Sequence, residues 1–101
     1  MNELYVFLIK VLDKPGLFQV NRVEDINYIV LGYSNALIRL KNDMSIDEFF
    51  GGFNEYFSQK CELDSTINWC RAIRFYSGSD SHSLNIFKEN LIEYYEKWRK
   101  S

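Results

Sequence analysis

Three side chains in this sequence could act as a nucleophile or a general base: Cys61, Cys70 and His82. His82 is the only histidine, and it stands among serine and aspartate residues where a loop is expected to pass into a helix. A thiol becomes a nucleophile when a base or a positive charge close to it removes its proton. The sequence does not show these groups close together, so it favours an exposed loop histidine and two unreactive thiols.

Metal and phosphate sites have sequence signatures that this chain lacks. Two cysteines and one histidine do not supply a recognisable four-ligand zinc pattern, and Gly51-Gly52 matches neither of the glycine-rich phosphate loops. The carboxylate pairs Glu24-Asp25 and Asp47-Glu48 stand where helices or turns should start, and there they satisfy backbone N–H groups. We therefore predict that the chain is not an enzyme and holds no metal or cofactor. The alternative is a small enzyme or ligand-binding domain with a pocket near His82 and the cysteines.

The elements that would position these side chains begin with an expected strand. Residues 4–12 form a near-continuous apolar run, which is typical of a strand covered on both faces, and a Pro-Gly pair at 15–16 ends it. A short strand is expected over residues 17–20. Residues 26–41 fit either a buried helix or two strands joined at Ser34-Asn35, and their β-branched and aromatic content favours the hairpin.

Residues 66–76 alternate between apolar and polar side chains, which predicts another strand. This strand would place Trp69 and Phe75 in the core, with Arg74 and Tyr76 outward, and Arg71 would interrupt its apolar face. Basic and aromatic residues together can stack nucleic-acid bases, but the alternation divides these residues between two faces. The segment is therefore interpreted as a core strand.

Two amphipathic helices are predicted, over residues 45–60 and 83–100. The first begins with a capping box from Ser45 to Glu48, and Ser81 or Ser83 can cap the second. Gly51 and Gly52 fall on the face of the first helix that lies away from its apolar stripe, so core packing does not explain them. Together the elements predict one α+β domain over residues 1–101, in which both helices pack on one face of an antiparallel or mixed sheet of about four or five strands.

Negative charge is concentrated in one quarter of the chain. The whole chain has a net charge of −2, whereas residues 42–66 carry −5 because Lys60 is their only base. The acids of this segment are Asp43, Asp47, Glu48, Glu55, Glu62 and Asp64. Such a face is often only solvated, and it can also dock a basic partner in a site built to hold phosphates. For such a partner we predict that Asp47, Glu48 and Glu55 make the charged contacts, and that Asp43, Glu62 and Asp64 steer the encounter.

Charge and hydropathy also argue against two classes of partner. A generic nucleic-acid binder carries a basic excess, which this chain lacks, so direct binding of nucleic acid is not expected. The apolar run near the N-terminus is too short to span a membrane and lacks the features of a signal peptide. We therefore expect a cytoplasmic protein with reduced cysteines and no membrane partner.

A compact, cytoplasmic and acidic domain of about 100 residues, which begins with a strand close to Met1 and carries an acidic helix but no catalytic set, resembles the immunity proteins of bacterial contact-dependent growth inhibition and related polymorphic toxin systems. The resemblance covers general architecture and the acidic segment, without a residue-by-residue motif. It implies a protein that neutralises one cognate toxin, often a basic nuclease, by covering its active site or a neighbouring surface. A subunit of a larger assembly, with an aromatic oligomer interface, is a further alternative.

Overall fold

The computed structural model describes residues 1–64 and 66–101, and its regular structure is helical. Five α-helices and one short 3-10 helix follow one another along the chain: α1 (Asn2–Asp13), the 3-10 helix (Pro15–Phe18), α2 (Val23–Lys41), α3 (Ser45–Lys60), α4 (Trp69–Tyr76) and α5 (Asp80–Lys100). No strand occurs among the described residues, so the prediction of an α+β domain with a sheet is wrong.

The strand predicted over residues 4–12 is replaced by helix α1. Leu4, Leu8 and Val11 are buried at helical spacing, whereas Val6 and Phe7 between them are exposed. An unbroken apolar run has no periodicity of its own, so it does not distinguish a buried strand from a helix that also exposes apolar side chains. The short strand predicted over residues 17–20 is also wrong, because residues 15–18 form the 3-10 helix.

The hairpin predicted for residues 26–41 is wrong, and the helix that was its alternative is present as α2. Val23, Ile26, Val30 and Ser34 are buried at intervals of three or four residues. The chain turns at Asn42, which is left-handed with φ 53° and whose N–H donates to the Ile38 carbonyl. Helices commonly end at a residue with left-handed backbone angles, and asparagine is among the residues that tolerate this conformation.

The strand predicted over residues 66–76 is wrong, because residues 69–76 form helix α4. Asn68 caps this helix through its side-chain oxygen, which accepts a 2.8 Å hydrogen bond from the Cys70 N–H. Trp69 is buried as predicted, but Phe75 is 77% exposed and Arg71 lies on the surface. Because these two residues are four apart, helical spacing puts both on one outer face. The predicted strand had instead placed them on the core side.

The two predicted amphipathic helices are present as α3 and α5, although no sheet lies beneath them. Their caps differ from the prediction. Asp43 accepts a 2.8 Å hydrogen bond from the Ser45 N–H, and the Ser79 hydroxyl accepts one of 3.1 Å from the His82 N–H. Ser83 instead is buried, and its hydroxyl accepts from the Val23 N–H and so ties α5 to the start of α2.

Helix α5 is the centre of the packing, since α1, α2, α3 and α4 all lie against it. The core between α3, α4 and α5 is largely aromatic, and the fully buried Phe53 is at its middle. Its ring lies within 6.4 Å, centroid to centroid, of six others: Phe50, Tyr56, Phe57, Trp69, Phe87 and Tyr94. On the other side of α5, Tyr95 stacks on Tyr5 of α1 at 3.7 Å and donates a hydrogen bond to Asn2.

Gly52 allows α3 and α5 to approach closely. A Cβ atom at residue 52 would collide with the Tyr94 hydroxyl, whereas one at Gly51 would meet nothing within 4 Å. The packing of the core therefore explains Gly52, contrary to the sequence-based interpretation, and leaves Gly51 open on the surface.

One ion-pair junction joins three helices. Arg74 of α4 makes two hydrogen bonds to the Glu24 carboxylate of α2, at 2.8 and 3.0 Å, and a third to Asp80 of α5 at 2.9 Å. The bidentate geometry matches the fork of a guanidinium to a carboxylate. The hydrogen bonds from Arg74 hold the pKa of Glu24 below its ordinary value of 4.5.

Acid should weaken this junction. A carboxyl group whose pKa is lower in the folded state stabilises the fold above its unfolded pKa, and this contribution is lost as pH falls through the folded pKa. We expect Glu24→Gln to lower the melting temperature at pH 7 by roughly 3–6 °C, with the difference from wild type shrinking as pH falls below 4.5 and disappearing once the folded carboxyl group is protonated. Thermal unfolding at several pH values measures this, and Glu89→Gln is the control on α5. A difference that persists unchanged at low pH would contradict the assignment.

The two adjacent glycines of α3 should respond oppositely to alanine. Gly51→Ala should stabilise the protein by about 0.5–1 kcal/mol, because alanine is the better helix former and has free space. Gly52→Ala has the same gain in stability from helix propensity, but it forces Tyr94 to move. Overpacking of this kind typically costs about 1–3 kcal/mol. We therefore expect a net loss, measured by urea unfolding of both variants. Equal effects of the two substitutions would refute the close approach at Gly52.

Candidate functional site

The outer face of α3 carries three carboxylates that are not engaged within the protein. Asp47, Glu48 and Glu55 are exposed, and among the described residues none of them forms an ion pair or accepts a side-chain hydrogen bond. The only base of the acidic segment, Lys60, points elsewhere: its ammonium group donates to Asn90 at 2.8 Å and lies 3.2 Å from the Glu93 carboxylate. Both partners of Lys60 belong to α5, so this cation does not neutralise the outer face. We call Asp47, Glu48 and Glu55 the acidic face.

The three acids predicted to steer the encounter with a partner have different positions. Asp43 precedes α3 and accepts a 2.8 Å hydrogen bond from the Ser45 N–H, and Asp64 accepts one of 2.9 Å from the Thr66 N–H in the loop after the helix. These backbone hydrogen bonds lower the pKa of both carboxyl groups, so both stay ionised well into the acidic range. Glu62 is exposed, and its backbone is in the left-handed conformation with φ 56°. The six acids therefore divide into the acidic face and three residues in the connections at its two ends.

A groove of about 360 Å³ runs between α2 and α3 beside the acidic face. Asp47, Phe50 and Gly51 form one wall, and Leu31 and Ser34 of α2 form the other. Trp69 of α4 also lines the groove, so two aromatic rings contribute to it. Glu48 and Glu55 lie outside the lining, although they share the outer face of the same helix. Sequence patterns alone do not indicate this groove, because it depends on how α2 and α3 pack.

A second surface feature is the ridge of α4, which the sequence-based strand had assigned to the core. Arg71 and Phe75 separate two hollows of about 610 and 590 Å³, and Asn68 lies at the border of both. Exposed arginine and aromatic side chains are frequent at the energetic centres of protein interfaces. The signal for this ridge was the spacing of Arg71 and Phe75 four residues apart, which is meaningful only on a helix.

The residues of the alternative enzymatic interpretation are not arranged for nucleophilic catalysis. Among the described residues no hydrogen bond joins His82 to a thiol, and the His82 Nδ1 accepts a 2.9 Å hydrogen bond from the Gly78 N–H. Burial, followed by the charge of Glu24, raises the pKa of Cys70 to about 11, and burial also raises the pKa of Cys61. A catalytic cysteine needs the opposite shift.

Two searches of the described residues were also negative. No group of three or more histidine, cysteine, aspartate or glutamate side chains within 1–64 and 66–101 is placed to hold a metal ion. In the same part of the chain, no helix has the length and apolar character that crossing a membrane requires.

Comparisons with protein-family models, with curated proteins and with solved structures found no match. The resemblance to immunity proteins therefore stays a prediction, and the strand near Met1 that was one of its features is replaced by helix α1.

Both thiols should react slowly while the protein is folded. At pH 8, a thiol with a pKa of about 11 has about 100-fold less thiolate than an ordinary one. We expect iodoacetamide to alkylate half-buried Cys61 before buried Cys70, with Cys70 reacting at a normal rate only in denaturant. Mass spectrometry of the labelled peptides measures both rates. Rapid labelling of Cys70 in the native protein, reduced by His82→Ala, would instead favour the enzymatic alternative.

Proposed function

We propose that this protein binds a basic protein and blocks it, in the manner of an immunity protein that neutralises a cognate nuclease toxin. The observation that carries the proposal is the acidic face of α3, whose three carboxylates are exposed and lack a cationic partner among the described residues. Carboxylates that are not paired within their own protein retain their charge for attraction of a basic surface.

The pairing of other acids supports this interpretation. Five carboxylates elsewhere in the chain lie in ion pairs with lysine or arginine: Asp13, Glu24, Asp80, Glu93 and Glu96. The protein therefore has enough cations to pair many of its acids, but the three carboxylates of the acidic face are not among the paired acids of the described residues. A face that only needed to be solvated would not require its neighbouring base, Lys60, to be held by α5.

The length of the acidic face suits a phosphate-binding site. Asp47 and Glu55 are eight residues apart, so they extend the charge over about 12 Å of helix axis. A nuclease holds the backbone of its substrate with cationic side chains, and a helix with carboxylates along one face can occupy the same position. Asp43, Glu62 and Asp64 at the two ends of α3 would extend the field that attracts the partner during encounter.

We propose a cytoplasmic location for this interaction. Cys61 and Cys70 are both free thiols, the state that a reducing compartment maintains. The inhibitor would meet its toxin there and need no chemistry of its own, because blocking requires only a stable complex.

Neutralising the acidic face should abolish protection. The test expresses the basic protein encoded beside this gene, with and without the wild-type chain, and compares the triple variant Asp47→Asn, Glu48→Gln, Glu55→Gln. We expect the neighbour to be toxic alone and harmless beside wild type, and the triple variant to associate about 10- to 100-fold more slowly at low salt. The control variant removes the same number of carboxylates elsewhere, of which Glu3 and Glu89 are exposed and Glu96 is partly buried and paired with Arg99: Glu3→Gln, Glu89→Gln, Glu96→Gln.

Growth of the expressing cells and surface plasmon resonance of the purified pair report the two expectations separately. The proposal is wrong if no neighbouring protein is toxic, or if the triple variant protects and binds as well as the control variant does. Circular dichroism of all variants confirms that the helices persist.

A further inference from the structure

The groove between α2 and α3 has the chemistry of a site for one cationic side chain. Asp47 is the only charged residue among the described residues that line it, and Phe50 and Trp69, which are 7% and 3% exposed, contribute apolar surface. We propose that this groove binds an arginine side chain of a protein partner. The proposal rests on the function proposed above, since a basic partner would supply the arginine, and it adds which residue of the acidic face makes the specific contact.

Arginine fits this combination of groups better than lysine does. A guanidinium is planar, weakly hydrated and makes two parallel hydrogen bonds to a carboxylate, whereas an ammonium is a compact and strongly hydrated charge. Ser34 and Asn27 also line the groove and carry oxygen atoms that can accept from the remaining guanidinium N–H groups. The aliphatic part of the arginine would lie along Val30 and Leu31.

The same lining disfavours other ligands. A phosphate or a free carboxylate would meet Asp47 without a cation among the described lining residues to offset the repulsion. A wholly apolar ligand would leave the Asp47 carboxylate and the Asn27 amide desolvated, which is unfavourable.

Gly51 keeps the groove accessible from the acidic face. It lines the groove, and a Cβ atom built on it meets nothing within 4 Å, so the space beside it is open. A large side chain at residue 51 would therefore have room to fold and would occupy the entrance to the groove. This gives Gly51 a role at the surface, whereas Gly52 serves the core.

The experiment titrates the ¹⁵N-labelled protein with the peptide acetyl-Gly-Arg-Gly-amide and follows the NMR shifts of the Gly51 amide and the Trp69 indole. The control peptide contains citrulline, an uncharged analogue of arginine with nearly the same shape. We expect saturable shifts with the arginine peptide and at least tenfold weaker binding of the citrulline peptide. A lysine peptide should bind several-fold more weakly than the arginine peptide.

Two pairs of variants locate the site. Asp47→Asn should weaken binding of the arginine peptide at least tenfold, while Glu48→Gln removes the same charge outside the groove and should change it less than twofold. Gly51→Leu should abolish the shifts, and Gly51→Ala should retain them. Because the amide spectrum of each variant reports its fold, loss of binding is distinguished from unfolding.

Three results would overturn the proposal: no shifts at a peptide concentration of about 20 mM, which excludes even weak binding, equal binding of the arginine and citrulline peptides, or equal losses with Asp47→Asn and Glu48→Gln. The proposed function is judged separately. If the peptide does not bind but the triple variant loses protection, only the proposed arginine site is wrong. If the peptide binds but the protein neutralises no toxin, the arginine site stands and the proposed function is wrong.

Discussion

Phe53 is fully buried where α3, α4 and α5 meet, and the arrangement of the three helices depends on how its ring is surrounded. Trp69 meets it edge-on at 5.7 Å and Phe87 at 5.8 Å, the geometry that the charge distribution of aromatic rings favours. Rings that meet in this way fix both the distance and the rotation of the helices that carry them. Glycine at residue 52 follows from this constraint, because it lets Tyr94 lie against the same helix.

The division between the two sides of α3 follows from the same packing. Burying Phe49, Phe53 and Phe57 turns the residues on the opposite side toward solvent. The carboxylates of the acidic face are therefore held at fixed positions on a rigid helix rather than on a loop. A rigid display reduces the entropy lost on binding, which makes a charged surface more effective in recognition.

Some of this structure could be predicted from the sequence and some could not, for identifiable reasons. Helices α3 and α5 were predictable because their apolar residues recur at helical spacing between polar ones. In α1 and α2, exposed side chains such as Phe7 and Tyr28 are as apolar as the buried ones, so the period was hidden and the β-branched content pointed to strands. Helix α4 is only eight residues long, too short for a period of 3.6 to stand out from alternation.

The candidate site shows the same limit. Counting charges located the acidic face, and helical geometry placed Asp47, Glu48 and Glu55 together. The direction of Lys60 and the groove beside Asp47 were not predictable, because each depends on how separate helices pack against one another. Lys60, for example, is 30 residues from the Asn90 side chain that holds it. The ridge of Arg71 and Phe75 was missed because its segment was interpreted as a strand.

Helix α1 has its main helical partner at the far end of the sequence. It packs on the 3-10 helix and on α5, and Tyr5 stacks on Tyr95. On the ribosome, α1 is made before α5, so the apolar stripe of α1 stays uncovered until α5 emerges. At about 5–20 residues per second this interval lasts several seconds, long enough for a chaperone to bind the nascent chain. The connectivity of the bundle therefore makes completion of the core a late event, governed by the emergence of α5.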